Sequence, residues 1–180
     1  NSGDILRTKP ENVYCKRGDK APNQKRKSSP HYNIKKLIAN EDVNEIFLTY
    51  LSFSNRDIAD DLCEAIEKRN VKVTFIIDKG SRSDEGKRKY LEQVGACRAK
   101  NVSTSEMNIP KVTYRGQVGG IGYAHNKIIM AKYKSDSKKT TIVFSSGNMS
   151  SGTVLHHENW HFLTTSTESY FAQVHECIKE

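Results

Sequence analysis

From His31 onward, apolar positions recur with two alternating periods. The first regular segment, His31–Ala39, predicts a helix, and Glu45–Phe53, with its Ile-Phe-Leu-Thr-Tyr-Leu centre, predicts a buried strand. Ser54-Asn55-Arg56-Asp57 resembles a capping box opening a second helix, on which Ile58, Leu62 and Ile66 share one face. Val71–Ile77 is a second strand that stops at the Asp78-Lys79-Gly80 turn, and a helix over about Asp84–Val94 follows. Tyr123–Lys132 is a β-branched apolar run, read as a strand. The polar stretch Tyr133–Lys139 reads as its hairpin turn and Thr140–Phe144 as the returning strand. Glu158–Thr165 is a third run in this region, and Glu168–Ile178 predicts a closing helix. Strands alternating with helices and then folding back as a hairpin predict an α/β fold: a mixed β-sheet flanked by helices on both faces.

The first thirty residues break this pattern. They hold three of the four prolines, few apolar residues and many lysines, which predicts a basic irregular arm over residues 1–30, with room for a short strand at Asn12–Cys15. Residues 31–180 are then a single domain, a length that buries one core. No apolar run approaches the roughly eighteen residues of a membrane-spanning helix, so no transmembrane segment is expected in the chain as given. Gly116–Gly122 lacks the spacing and the following helix of a nucleotide loop, and is read as a flexible approach to the strand after it.

Charge narrows the partners. Lys plus Arg number 29 against 21 Asp plus Glu, and the excess of +8 favours polyanions. The basic residues cluster at Lys16-Arg17, Lys25–Lys27, Lys35-Lys36, Lys87–Lys89 and Lys132–Lys139, which points toward nucleic acid rather than neutral lipid. The four cysteines say less. Cys63, near the apolar face of its helix, is expected as a buried thiol, while the even count is compatible with one or two disulfides and slightly favours export.

The candidate chemistry lies in three segments. His125-Asn126-Lys127 is followed by Ser145-Ser146-Gly147-Asn148-Met149-Ser150 and then by Glu158. Strand alternation puts His125 and Lys127 on one side with Asn126 opposite. The hairpin brings Ser146 and Asn148 back toward His125, and Glu158 returns a carboxylate to the same end. A neutral imidazole is a competent nucleophile toward phosphorus, and a carboxylate on its other nitrogen fixes the tautomer; Glu158 is assigned that role. Lys127, Asn148 and the Ser146 hydroxyl are assigned to the non-bridging phosphoryl oxygens. No cofactor or metal is expected, because His156, His157 and His161 have no companions at recognised ligand spacing. Solvated or supporting roles are expected for these three.

These residues resemble the HKD signature of the phospholipase D superfamily, in which His-x-Lys-x4-Asp is followed by Gly-Ser-x-Asn and Asn-x-Glu. His125 and Lys127 match the first element, and Ser145-Ser146-Gly147-Asn148 matches the second with Ser for Gly. His156-His157-Glu158 keeps the Glu of the third. The family Asp falls at Lys132, a departure for which Asp136 is the candidate substitute. The resemblance covers roughly His31–Thr165 and implies a phosphohistidine mechanism with a second histidine as acid. With one signature in the chain, that acid comes from a homodimer, as in the small single-motif bacterial endonucleases, or from a second module of a longer protein. The expected function is a metal-independent phosphodiesterase, a nuclease. The alternatives are a phospholipase D or phosphatidyltransferase, and a non-catalytic nucleic-acid-binding module on the same scaffold.

Overall fold

The computed structural model describes residues 27, 29–116, 122–150 and 158–179. Helix α1 (Pro30–Ile38) starts where the Ser29 side chain accepts from the His31 N–H, with Pro30 in the first turn, where a missing N–H costs nothing. β1 (Val43–Tyr50) leads to α2 (Arg56–Arg69). Asn55 caps α2 by accepting from the Ile58 N–H at 3.1 Å. The expected capping box therefore reduces to a single Asn cap, because Ile58 at the third helical position has no side chain to bond back. α2 ends at Asn70 in the left-handed conformation, φ 55°.

β2 (Lys72–Asp78) runs into a 3₁₀ turn, Lys79–Arg82, and then α3 (Glu85–Ala96), capped by Asp84. β3 (Lys111–Arg115), β4 (Lys127–Tyr133), β5 (Lys139–Ser145), β6 (Trp160–Ser166) and α4 (Tyr170–Lys179) complete the described elements. The six strands form one sheet in the order β3-β2-β1-β4-β5-β6. β1, β2 and β3 are parallel neighbours, while β4, β5 and β6 pair antiparallel from β1 outward. β3 is an addition to the sequence reading. It is a five-residue edge strand bounded by Lys111 and Arg115, too short and too polar to show a period.

The sheet sorts the side chains. Ile46, Leu48, Val73, Phe75, Ile77, Ile129 and Val143 pack under α1, α2 and α3. Phe47, Ile76, Ile128, Met130 and Ile142 face the other way, against Ala172, Phe171 and Ile178 of α4. Helices thus cover both faces, three on one and one on the other. The fold is the expected α/β arrangement of a mixed sheet between helices.

Two corrections concern charge and sulfur. Lys132, at the position of the family Asp, stands beneath α4 with its Nζ 3.0 Å from Glu176 Oε1. Glu176 also receives Lys179 at 2.8 Å, and Lys179 in turn pairs with Glu45. Burial favours the neutral form of Glu176, but the two ammonium groups outweigh it and hold the carboxyl below its ordinary range. The sign of the family position is inverted here and matched on the helix it faces. Asp136 does not substitute: it lies in the β4–β5 turn, where its side chain accepts from the Lys138 N–H at 3.0 Å. Cys63, expected as a buried thiol, is bonded to Cys97 just past the end of α3, with Cα atoms 5.5 Å apart. The packing of α2 on α3 creates that proximity, and helix periodicity carries no sign of it. A bridge across a 34-residue separation is worth about 4 kcal/mol in the chain-entropy account. Cys177 is a free, exposed thiol, and Cys15 lies outside the described residues.

Candidate active site

At one end of the sheet β1, β2 and β5 finish while β4 and β6 begin. Register brings the sequence-predicted segments there: Tyr50 pairs with Lys127, and Ser145 pairs with Trp160. β4 begins at Lys127 and not at Tyr123, because its partner β1 stops at Tyr50. His125 therefore sits just ahead of the strand, and alternation along a strand is not what positions it.

Asp78 does that. This buried carboxylate ends β2, accepts from the Gly80 N–H through Oδ1 at 2.8 Å, and accepts from the Ala124 N–H through Oδ2 at 2.8 Å. One side chain thus closes the turn after β2 and pins the backbone beside His125. Gly116 passes close by at φ +125°, and a Cβ there would lie 2.9 Å from Asp78 Oδ2, so a side chain is excluded by both conformation and space. In the sequence Asp78 stands out only as part of the Asp78-Lys79-Gly80 turn. The available signal was a lone carboxylate closing an apolar strand before Lys-Gly. Of the Gly116–Gly122 approach segment, residues 117–121 lie outside the described residues.

His125 is exposed and Lys127 is buried. Lys127 Nζ donates to the His125 carbonyl at 2.9 Å and lies 3.0 and 3.1 Å from the two ring nitrogens. Near-equal distances set the ammonium against the imidazole and not on a single ring nitrogen. Burial pushes the Lys127 proton affinity down from the ordinary lysine value, and the nearby Glu158 carboxylate partly restores it.

The Ser145–Ser150 turn is stapled from both sides. Asn148 Oδ1 accepts from the Ser52 N–H at 3.3 Å, and the Met149 carbonyl accepts from the Ser54 N–H at 2.8 Å. Both bonds tie it to the chain just beyond β1. Asn148 thus spends its amide oxygen on the backbone within the chain. On the other side Ser146 donates from its N–H to the Asn159 carbonyl at 3.1 Å and from its hydroxyl to Glu158 Oε2. The same hydroxyl accepts from the Asn159 N–H at 3.0 Å.

The expected residues thus gather at one sheet end, with two direct pairings, His125 with Lys127 and Ser146 with Glu158. The carboxylate that was expected to orient His125 is hydrogen-bonded to Ser146 within this chain and acts on Lys127 through its charge. His161 stands apart on β6, stacked on Phe144 with centroids 4.8 Å apart, while His156 and His157 lie outside the described residues. Among the described residues, no group of three or more His, Cys, Asp or Glu is placed to hold a metal ion. No helix among them is long and apolar enough to cross a membrane.

No curated protein matches this chain in sequence. Its fold is similar to that of NucT from Helicobacter pylori, with a TM-score of 0.58 at 15% identity, over 82% of this chain and 83% of that one. It is also similar to Nuc from Salmonella typhimurium, described as a phospholipase D family member: TM-score 0.52 and 15% identity, over 83% and 82% of the two chains. Polyphosphate kinase from Porphyromonas gingivalis matches at a TM-score of 0.53 and 19% identity, over 81% of this chain but 22% of that one. The family model described as "Cardiolipin synthase, PLD-like domain" matches residues 34–178, from the first core residue of α1 through α4. By that match, together with the convergence of His125, Lys127, Asn148 and Glu158 at one end of a mixed sheet, the chain belongs to the phospholipase D-like family and has the fold of its phosphodiesterases.

Proposed function

We propose that the chain is a nuclease-type phosphodiesterase working through a phosphohistidine and needing no metal. The observation that carries this reading is the buried ammonium of Lys127 held against the exposed imidazole of His125: a nucleophile and a fixed positive charge at the same opening. A ring nitrogen of His125 attacks phosphorus, forming an N–P bond as the P–O bond to the leaving group breaks. Lys127 and the Asn148 amide meet the non-bridging oxygens as charge develops on them; the Ser146 hydroxyl, expected to do the same, gives its one proton to Glu158 and holds that carboxylate instead. His125 of the partner subunit gives its proton to the leaving oxygen; it then takes one from a water that attacks phosphorus, and the N–P bond breaks. A homodimer supplies this second histidine, or a second module does if the chain is part of a longer protein.

Glu158 sets the charge of the site through Lys127 and holds Ser146 in place. We assign its role toward His125 to the assembled site, where a second copy approaches. The +8 charge favours nucleic acid as substrate. The description of the family model favours a second reading, a phospholipase D or phosphatidyltransferase.

The deciding assay offers labelled single-stranded and duplex DNA, RNA and phosphatidylcholine in EDTA. Cleavage of nucleic acid that survives chelation is expected. Cleavage restored only by Mg²⁺ or Zn²⁺ contradicts the mechanism, turnover of the lipid alone selects the second reading, and nucleic-acid binding without turnover selects the non-catalytic module.

The pH profile reports on Lys127. Its proton affinity lies below that of an ordinary lysine, so the alkaline limb of kcat/KM should fall below the ordinary lysine range. Glu158→Gln removes the charge that raises it, so the limb should move to still lower pH. A limb that stays put or moves upward in Glu158→Gln would show that Lys127 does not titrate there.

Sharing of the site is tested with mixed dimers. His125→Ala should abolish turnover with little loss of substrate binding, because most phosphate contacts remain. A dimer of one wild-type and one His125→Ala subunit lacks either the nucleophile or the acid and should run far below half the wild-type rate. Mixed dimers at half rate, or a fully active monomer by ultracentrifugation, would mean that each chain carries a whole site.

A further inference from the structure

Two residues before His125, Tyr123 stands 72% exposed on backbone that Asp78 pins at Ala124. A large ring on a fixed segment is held out toward solvent, beside the nucleophile. On the same side of the site, β2 passes into the Lys79–Arg82 turn. Lys79 Nζ is buried there with no hydrogen-bond partner among the described residues. Its Cγ lies 3.7 Å from where a Cβ at Gly116 would stand, next to the Asp78 carboxylate that anchors the His125 segment. The residue is only half-buried, and rotation about its flexible four-carbon stem presents the unpartnered ammonium to an arriving anion. Three residues on, the Arg82 guanidinium lies 5.9 Å from the ring centroid of Tyr114, whose register partner Ile77 is the residue before Asp78. One exposed ring and two cations therefore lie on the β2–β3 side of the sheet end that carries His125.

We propose that this is a nucleotide subsite and that the substrate is single-stranded nucleic acid. The base beside the scissile phosphate stacks on Tyr123, and the neighbouring backbone phosphate is met by Lys79 and Arg82. The proposal rests on the nuclease reading above and adds the strand state of the substrate. Tyr123 and His125 are two residues apart, a span of at most about 7 Å, so the ring meets the nucleotide being cut and not a distant one. A paired base in a duplex has both faces stacked and offers none to Tyr123. An unpaired base does, and every base has such a face, so stacking here brings little sequence preference.

The test compares wild type, Tyr123→Ala, Tyr123→Trp and Lys79→Gln on three substrates: a short single-stranded oligonucleotide, its duplex, and bis(p-nitrophenyl) phosphate. The small diester carries no base and reads the reacting centre alone. Wild type should prefer the single strand over the duplex. Tyr123→Ala should lose roughly 5- to 100-fold in kcat/KM on the single strand, the range a lost base stack gives, while its rate on the small diester stays unchanged and Tyr123→Trp retains activity on both. Lys79→Gln, checked for an unchanged melting temperature, should raise KM for the oligonucleotide and flatten its salt dependence. If Lys79→Gln melts early, the exposed Tyr123 variants decide the question. Equal cleavage of duplex and single strand, or an oligonucleotide rate unaffected by Tyr123→Ala, overturns the subsite and leaves the nuclease reading standing. Hydrolysis of the small diester with no cleavage of either nucleic acid overturns both.

Discussion

Keeping one ammonium group out of water is the constraint around which this site is organised. Lys127 is buried where β4 emerges between β1 and β5, and its charge is satisfied by the His125 carbonyl, the imidazole and the field of Glu158. Without such partners a buried cation costs several kcal/mol or gives up its proton. Each partner is held by a different part of the fold. The backbone beside His125 is fixed by Asp78 at the end of β2, and Glu158 is held through Ser146 at the end of β5. The turn carrying Asn148 is tied to the chain after β1. Packing of the sheet thus becomes placement of charge, because parallel β1 and β2 and antiparallel β5 all finish at the end where β4 and β6 begin.

The strong strands were legible because their apolar runs are long and bounded. β1, β2, β4 and β5 fall where periodicity puts them, within a few residues, and α2 shows Ile58, Leu62 and Ile66 buried on one face as its spacing implies. Three things were not legible, each because it depends on tertiary contact. β3 is a strand only because β2 offers it an edge. Cys63 meets Cys97 only because α2 packs on α3. Asp78 acts on Ala124, 46 residues away, a pairing that no local pattern encodes. His125, Lys127, Ser146, Asn148 and Glu158, singled out by type and order, lie at one end of the sheet. Their connections differ from expectation: strand alternation does not place His125, and Glu158 bonds to Ser146.

The departure at Lys132 shows how a motif position can change sign without moving the strand that carries it. Where the family pattern has a carboxylate, a lysine on the α4 face meets Glu176, which also holds Lys179, and Lys179 reaches Glu45 on β1. The ion pairs link α4 to the two central strands on the side away from the three-helix layer. His125 lies at the opposite end of β4, and the pairing of β4 with β1 and β5 runs through Lys132 with the motif Asp absent.

The central claim is that His125 is the nucleophile. Rapid mixing of substrate with excess enzyme, quenching into alkali and mass spectrometry of the peptide spanning His125 tests it directly, because a phosphoramidate on imidazole survives base and is lost in acid. The account predicts an acid-labile phosphoryl adduct, carrying the substrate fragment, on His125, absent in His125→Ala and formed in EDTA. Single-turnover cleavage that proceeds with no adduct at any quench time, or an adduct on another residue, would contradict it.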